Sequence, residues 1–324
     1  MEDYDYVNKG LASPIGDMTE GNLSYGSVGS GLNFYNIARD LAAINAKNEE
    51  VTDRDGHLMG YICDVSVAAT GPATVSFLSA PNTWKVRNAV RKAHFLREQM
   101  FRDAGVTASE QGRYGQTLRP HLTTDMVSDT VYKTPFTFTG DGDPYEYVGG
   151  EWTYTTLASS PSWDNTPLED HDQLPLADTY TIALCGDNVQ QADAGGIKSW
   201  QTIGLVTSYN IDRMEVVPDA TADTSIVGLN NPFAMLKSQS VVSGEVGDIA
   251  KDQELEEPPY DVTDNGDSAQ LVKQATVIQN ATESVRKARV FLPAGLMALY
   301  TTAAMAQSVV SVQVIGKVLC KDMA

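Results

Sequence analysis

Four histidines, His57, His94, His121 and His171, are the scarcest titratable side chains in this chain of 324 residues, and no two stand two to four positions apart. A local zinc site is built on such spacings, so none is expected. His171 lies in Glu169-Asp170-His171-Asp172, which has the residue types of a metal cluster. Four consecutive side chains cannot all converge on one ion, however, and a solvated acidic loop is the reading. Asp141 and Asp143 in Gly140-Asp141-Gly142-Asp143-Pro144 resemble the opening of a calcium loop. The glycine and terminal glutamate that an EF-hand requires are out of register there.

Nucleophilic and phosphate-handling motifs are equally scarce. The chain has no GxSxG elbow, no HExxH and no GxxxxGK[ST], and so lacks three common signatures of catalysis. Gly26-Ser27-Val28-Gly29-Ser30-Gly31 has glycines spaced GxxGxG with no strand expected before them, which fits neither a Walker loop nor a dinucleotide fingerprint. Glycoside hydrolysis needs two carboxylates brought together by the fold, and among 42 acids a pair carries no information. No catalytic residue, cofactor or metal is assigned, and the chain reads as a non-enzyme.

One segment stands out chemically. From Trp84 to Arg102 the apolar residues Val86, Ala89, Val90, Ala93, Leu96 and Met100 recur every three or four positions, the pattern of a helix of about five turns. The rest of that helix carries Lys85, Arg87, Arg91, Lys92, Arg97 and Arg102. Between Trp84 and His121 there are eight Lys and Arg against three acids, in a chain whose formal charge is −19. A row of cations is often a plain solvated face. Its functional readings are an inter-subunit contact with the acidic surface of a neighbouring copy, which is favoured, or a contact with nucleic acid.

The elements that must hold this helix are mostly strands. Tyr61, Cys63, Val65 and Val67 alternate with Ile62, Asp64, Ser66 and Ala68, and Gly71-Pro72 turns the chain into Thr74–Leu78. Helical spacing of Phe34, Ile37, Ala38, Leu41 and Ile44 predicts an earlier helix. Further strands are expected at Met126–Tyr132, Phe136–Thr139, Glu151–Thr156, Tyr180–Leu184, Thr202–Tyr209, Arg213–Val217, Leu271–Ile278, Ala288–Leu292 and Val309–Leu319. A short helix is expected around Phe233, Met235 and Leu236. In the last strand Val310, Val312, Val314 and Val318 share one face and Ser311, Gln313 and Lys317 the other, with a bulge expected at Gly316. Short strands with turn residues between them and few helices predict a mainly β chain, an antiparallel β-sandwich with helical insertions in its connections. Residues 1–31 read as a polar, glycine-rich arm and 32–324 as the sandwich domain, with long acidic loops such as 159–175 and 245–267. Cys63, Cys185 and Cys320 match no ligand pattern and read as buried thiols.

Charge and hydropathy exclude other classes. An acidic chain repels phosphate backbones over most of its surface, which disfavours general coating of nucleic acid. No apolar run reaches the roughly 18 residues of a membrane-spanning helix. Met1-Glu2-Asp3-Tyr4-Asp5-Tyr6 is acidic where a signal peptide is basic and then apolar, so no signal peptide is expected.

The C-terminal third adds a resemblance. Acidic Glu254-Leu255-Glu256-Glu257-Pro258-Pro259-Tyr260-Asp261 precedes a strand, then Ala288-Arg289-Val290-Phe291-Leu292-Pro293-Ala294-Gly295-Leu296, then the valine-rich strand Val309–Leu319. This pattern resembles the last strands of jelly-roll major capsid proteins from small tailless icosahedral DNA viruses. The resemblance implies a viral jelly roll, single rather than double, with long variable loops. It further implies a capsid subunit that self-assembles into a shell around the genome and resides in the virion, with other copies of itself, the genome and minor capsid proteins as partners. The sequence departs from such proteins in its first 31 residues, where Lys9 is the one basic residue and no basic arm faces a genome. The alternatives are a tailed-phage-type capsid fold, with the basic helix as its spine, and a β-sandwich binding module for a carbohydrate or receptor. In the second case Trp152, Tyr154, Trp163 and Trp200 would stack on sugars.

Overall fold

The computed structural model describes residues 13–14, 20–26, 28–107, 110–112, 117–127, 132–138, 141, 144–147, 152–159, 178–192, 198–214, 270–280 and 284–321. Residues 160–175 and 245–267 of the acidic loops, the short helix expected near 233 and Trp163 lie outside them.

Period-two burial sets the framework. In β4 (Leu58–Thr70), Tyr61, Cys63, Val65, Val67 and Ala69 are buried while the residues between them are half-exposed. On β15 (Ala306–Cys320) the same holds for Val310, Val312 and Val314. Pairing β4 with β15 antiparallel sets Val312 opposite Val65 and Val314 opposite Cys63, so one apolar face faces inward. Outside this pair lie β13 (Ser284–Pro293), next to β4, and β2 (Asn22–Gly26) with the two-residue β1 (Ser13–Pro14), both next to β15. The first sheet thus runs β2-β15-β4-β13.

A second antiparallel sheet runs β12-β5-β14-β3, from β3 (Gly31–Asn36), β5 (Ala73–Ser79), β12 (Val272–Gln279) and β14 (Leu296–Thr301). Phe34, Val75, Phe77 and Leu299 join the inward residues of the first sheet in one hydrophobic cluster. The chain is mainly β, in antiparallel sheets consistent with a β-sandwich. Ala294 and Gly295, both at positive φ, make the tight turn from β13 to β14. A Cβ on Gly295 would lie 2.9 Å from Ala38, so this turn fits against α1 (Ile37–Asn45) only because it lacks a side chain.

All other described elements lie between β5 and β12. They are α2 (Trp84–Asp103), a 3-10 turn (Thr124–Val127), the hairpin β6 (Phe136–Phe138) with β7 (Pro144–Glu146), and a small sheet. That sheet holds β8 (Thr156–Ser159), β9 (Asp178–Ala183), β10 (Val189–Ala192) and β11 (Lys198–Gly204) in the order β10-β11-β9-β8, and α3 (Leu205–Met214) follows it. β11 and β9 are parallel, the exception to the antiparallel expectation among the described strand pairs.

Several sequence expectations need correction. Residues 22–26 are not free arm: Leu23 and Tyr25 are core residues on a strand paired with β15. Phe34 and Tyr35 belong to β3, and the helix begins at Ile37, where Asn36 caps it by accepting the Arg39 N–H at 3.1 Å. The strand expected at Thr202–Tyr209 gives way at Leu205 to α3, which packs on α2. This helix also takes in Arg213 and Met214 of the strand expected at Arg213–Val217, whose remaining residues lie outside the described ones. Thr124–Val127 is a 3-10 turn where a strand was expected from Met126. The bulge at Gly316 is present, and it reverses the faces beyond it. Ile315 is the extra residue, and Lys317 pairs opposite the inward Tyr61. Lys317 is therefore buried, and its ammonium lies 2.8 Å from Glu50 Oε2.

Candidate functional site

Thr83 starts the basic helix, its Oγ1 accepting the Val86 N–H at 3.4 Å. Val86, Ala89, Val90, Ala93 and Leu96 face the core. The six cations do not form one solvated row. Lys85 is buried with 2% of its surface exposed, which corrects its assignment to the open face. Lys92 pairs with the largely buried Asp212 of α3, and Trp84 and Asn88 also reach α3 through Tyr209. Arg97 donates to the Thr117 carbonyl at 3.3 Å and covers the Phe101 ring. Burial pulls its pKa down to about 10. Arg87 donates to the Asn82 carbonyl at 3.4 Å. Arg91 lies over the Phe95 ring, 5.5 Å from its centre, and Arg102 is exposed.

Arg91 and Arg102 open onto a cleft of about 450 Å³ between α2 and the turn before β4, with Arg54, Asp55, His57, His94, Phe95 and Glu98 completing its lining. The turn is built on Asp53, whose Oδ1 accepts the N–H of Asp55 at 3.0 Å and of His57 at 2.7 Å. Gly56, at φ +80°, lets this turn lie on the helix, since a Cβ there would fall 2.8 Å from His94. His94 is buried, and burial lowers its pKa. Ligand-type atoms of Asp53, Asp55 and His57 all fall within 4.8 Å of one another. His57 Nδ1, 3.1 Å from Asp53 Oδ2, and the two N–H bonds account for this clustering as a self-capped turn. Its sequence signal is Asp-x-Asp-Gly-His, missed by a search for histidine pairs alone.

A second cleft, of about 630 Å³, lies between the end of α2 and residues 153–156, with Arg97, Phe101, Arg119 and Tyr154 in its walls. Behind it runs a buried polar network. Arg119 pairs with Glu49, whose other oxygen accepts the Trp152 indole N–H at 2.7 Å. Arg39 lies between the Trp152 and Tyr132 rings and donates to the Tyr132 hydroxyl. Tyr25 donates to Asp40 Oδ2 at 2.7 Å, and Tyr132 donates to Asp40 Oδ1 at 3.5 Å. Burial nevertheless pushes the Asp40 carboxyl up to about 7, against the pull of Tyr25, Arg39 and Tyr132. His121 is fully buried and stacked on Tyr154, and burial pulls its pKa down to about 4.

These contacts bear on the sugar-stacking reading. Trp200 is a core residue, Trp152 is tied to Glu49, and Tyr154 sits between His121 and Trp152. Three of the four aromatics thus pack within the chain. Cys63, Cys185 and Cys320 are buried free thiols, and burial raises the first two to about 12. No described helix is long and apolar enough to cross a membrane. Family models, curated proteins and solved structures were all compared with the chain, and none matches it.

Proposed function

We propose that this chain is a major capsid subunit, a single viral-type jelly roll that self-assembles into an icosahedral shell around a genome. One observation carries the reading. Numbered in chain order, the eight principal strands β2, β3, β4, β5, β12, β13, β14 and β15 form sheets in the orders 1-8-3-6 and 2-7-4-5. Two four-stranded sheets with this order are what a jelly roll of two Greek keys requires. Every pairing within them is antiparallel.

The insertion between the fourth and fifth strands supports a single over a double jelly roll. Its small sheet holds a parallel pair and does not repeat the order of the principal sheets. It takes in the basic helix, so the tailed-phage-type reading, with that helix as spine, has less support. The proposal assigns the chain no reaction and no cofactor, and places it in the virion.

In this reading the basic helix serves a contact between copies, with the genome as the runner-up partner. Its outward cations reduce to Arg87, Arg91 and Arg102, the last two joined by Arg54 at the first cleft, because Lys85, Lys92 and Arg97 are engaged within the fold. Sedimentation velocity on the purified protein tests the proposal. Megadalton particles that dissociate as salt is raised support it, and a species no larger than a tetramer at every ionic strength overturns it.

A further inference from the structure

The two sheets end on the same side of the molecule in β12 and β13, and each of these strands pairs on one side only among the described residues. An unpaired strand edge is an adhesive surface that folded proteins normally cover or blunt with charge. Here both features are present together. Ile278, near the end of β12, and Val285, near the start of β13, are 65% and 57% exposed. Residues 270–293 contain Lys273, Arg286, Lys287 and Arg289 against the single acid Glu283, in a chain of formal charge −19.

The cations are not equivalent. Arg289 is held by Asp64 through bonds of 2.7 and 3.0 Å, and Arg286 donates to the Ile278 carbonyl at 3.1 Å, bracing one edge strand against the other. Lys273 and Lys287 are exposed. A basic rim beside two uncovered aliphatic side chains suits a partner that is acidic and offers an apolar spot. A second copy of this chain, with a formal charge of −19, meets the first requirement.

We infer that the β12–β13 edge is a contact surface for a second copy, with Ile278 and Val285 as its dry centre and Lys273 and Lys287 as its cationic rim. The inference rests on the shell reading and names one surface on which the shell would be built. Desolvating the two aliphatic side chains favours association, and the lysines select an acidic face and make the contact salt-dependent.

The test compares wild type with Ile278→Ser/Val285→Ser and with Lys273→Glu/Lys287→Glu, by sedimentation velocity over a range of concentration and salt. Circular-dichroism melting checks that each variant folds. The serine pair is expected to melt as wild type does and to raise the concentration for half-assembly roughly tenfold or more. The glutamate pair is expected to weaken assembly most at low salt. Wild-type assembly matched by both folded variants overturns this surface and leaves the shell reading standing. A wild type that stays small at all concentrations and salts overturns both.

Discussion

Tyr25 on β2 donates a 2.7 Å hydrogen bond to Asp40 on α1, and both side chains are buried. The bond ties the first principal strand to the helix that follows β3, and through Tyr132 and Arg39 to the insertion. The burial of Asp40 also makes stability depend on pH, with this bond opposing the shift.

Burial raises the Asp40 carboxyl from 3.8 to about 7. The folded state therefore binds the proton more tightly than the unfolded one. The stability this contributes is complete below pH 3.8 and is lost as pH rises through 7. Asp40→Asn should gain on wild type across that window by up to about 4 kcal/mol. Urea unfolding of both proteins at pH 5 and pH 8 measures the difference, and parallel behaviour would refute the assignment.

His121 acts in the opposite sense. Burial lowers its pKa from 6.5 to about 4, so its contribution is complete above pH 6.5 and is lost as pH falls through 4. His121→Phe should gain on wild type by roughly 3 kcal/mol on acidification. Thermal melts at pH 7 and pH 4.5 read this gain.

The faces of β15 give a packing test. Val312 is fully buried, whereas Ile315, at the bulge, is 39% exposed. Val312→Ala should cost about 2 kcal/mol. Ile315→Ala should stay within about 0.5 kcal/mol. Val314→Asp, which buries an unpaired charge, should not fold.

Beyond the bulge, Lys317 and Tyr61 converge on Glu50, one on its carboxylate and the other on its backbone carbonyl. Lys317→Ala should cost on the order of 2 kcal/mol, since it removes a buried charge partner and its packing. Lys321→Ala, at an exposed position just past the strand, should be nearly neutral in the same denaturant series.

What the sequence made legible was local. The alternation in β4 and β15 is visible because one face is apolar and the other is not. The helix Trp84–Asp103 is visible because its stripe repeats over five turns. Phe34 and Tyr35 fit a strand and a helical stripe equally well, and pairing with β14 decides for the strand. Thr202–Tyr209 is rich in β-favouring residues, yet contacts of Tyr209 and Asp212 with α2 favour a helix from Leu205. The cations of α2 could be named from sequence, but not their partners. Asp212 and Thr117 lie far along the chain, and strand order depends on pairings more than 200 residues apart, such as Val65 with Val312.

If this chain builds a closed shell, negative-stain electron microscopy of the purified protein at low salt and neutral pH will show it. Hollow particles of uniform diameter and megadalton mass are the expected result. A field of separate molecules no larger than tetramers, with no closed particles at any concentration tried, would contradict it.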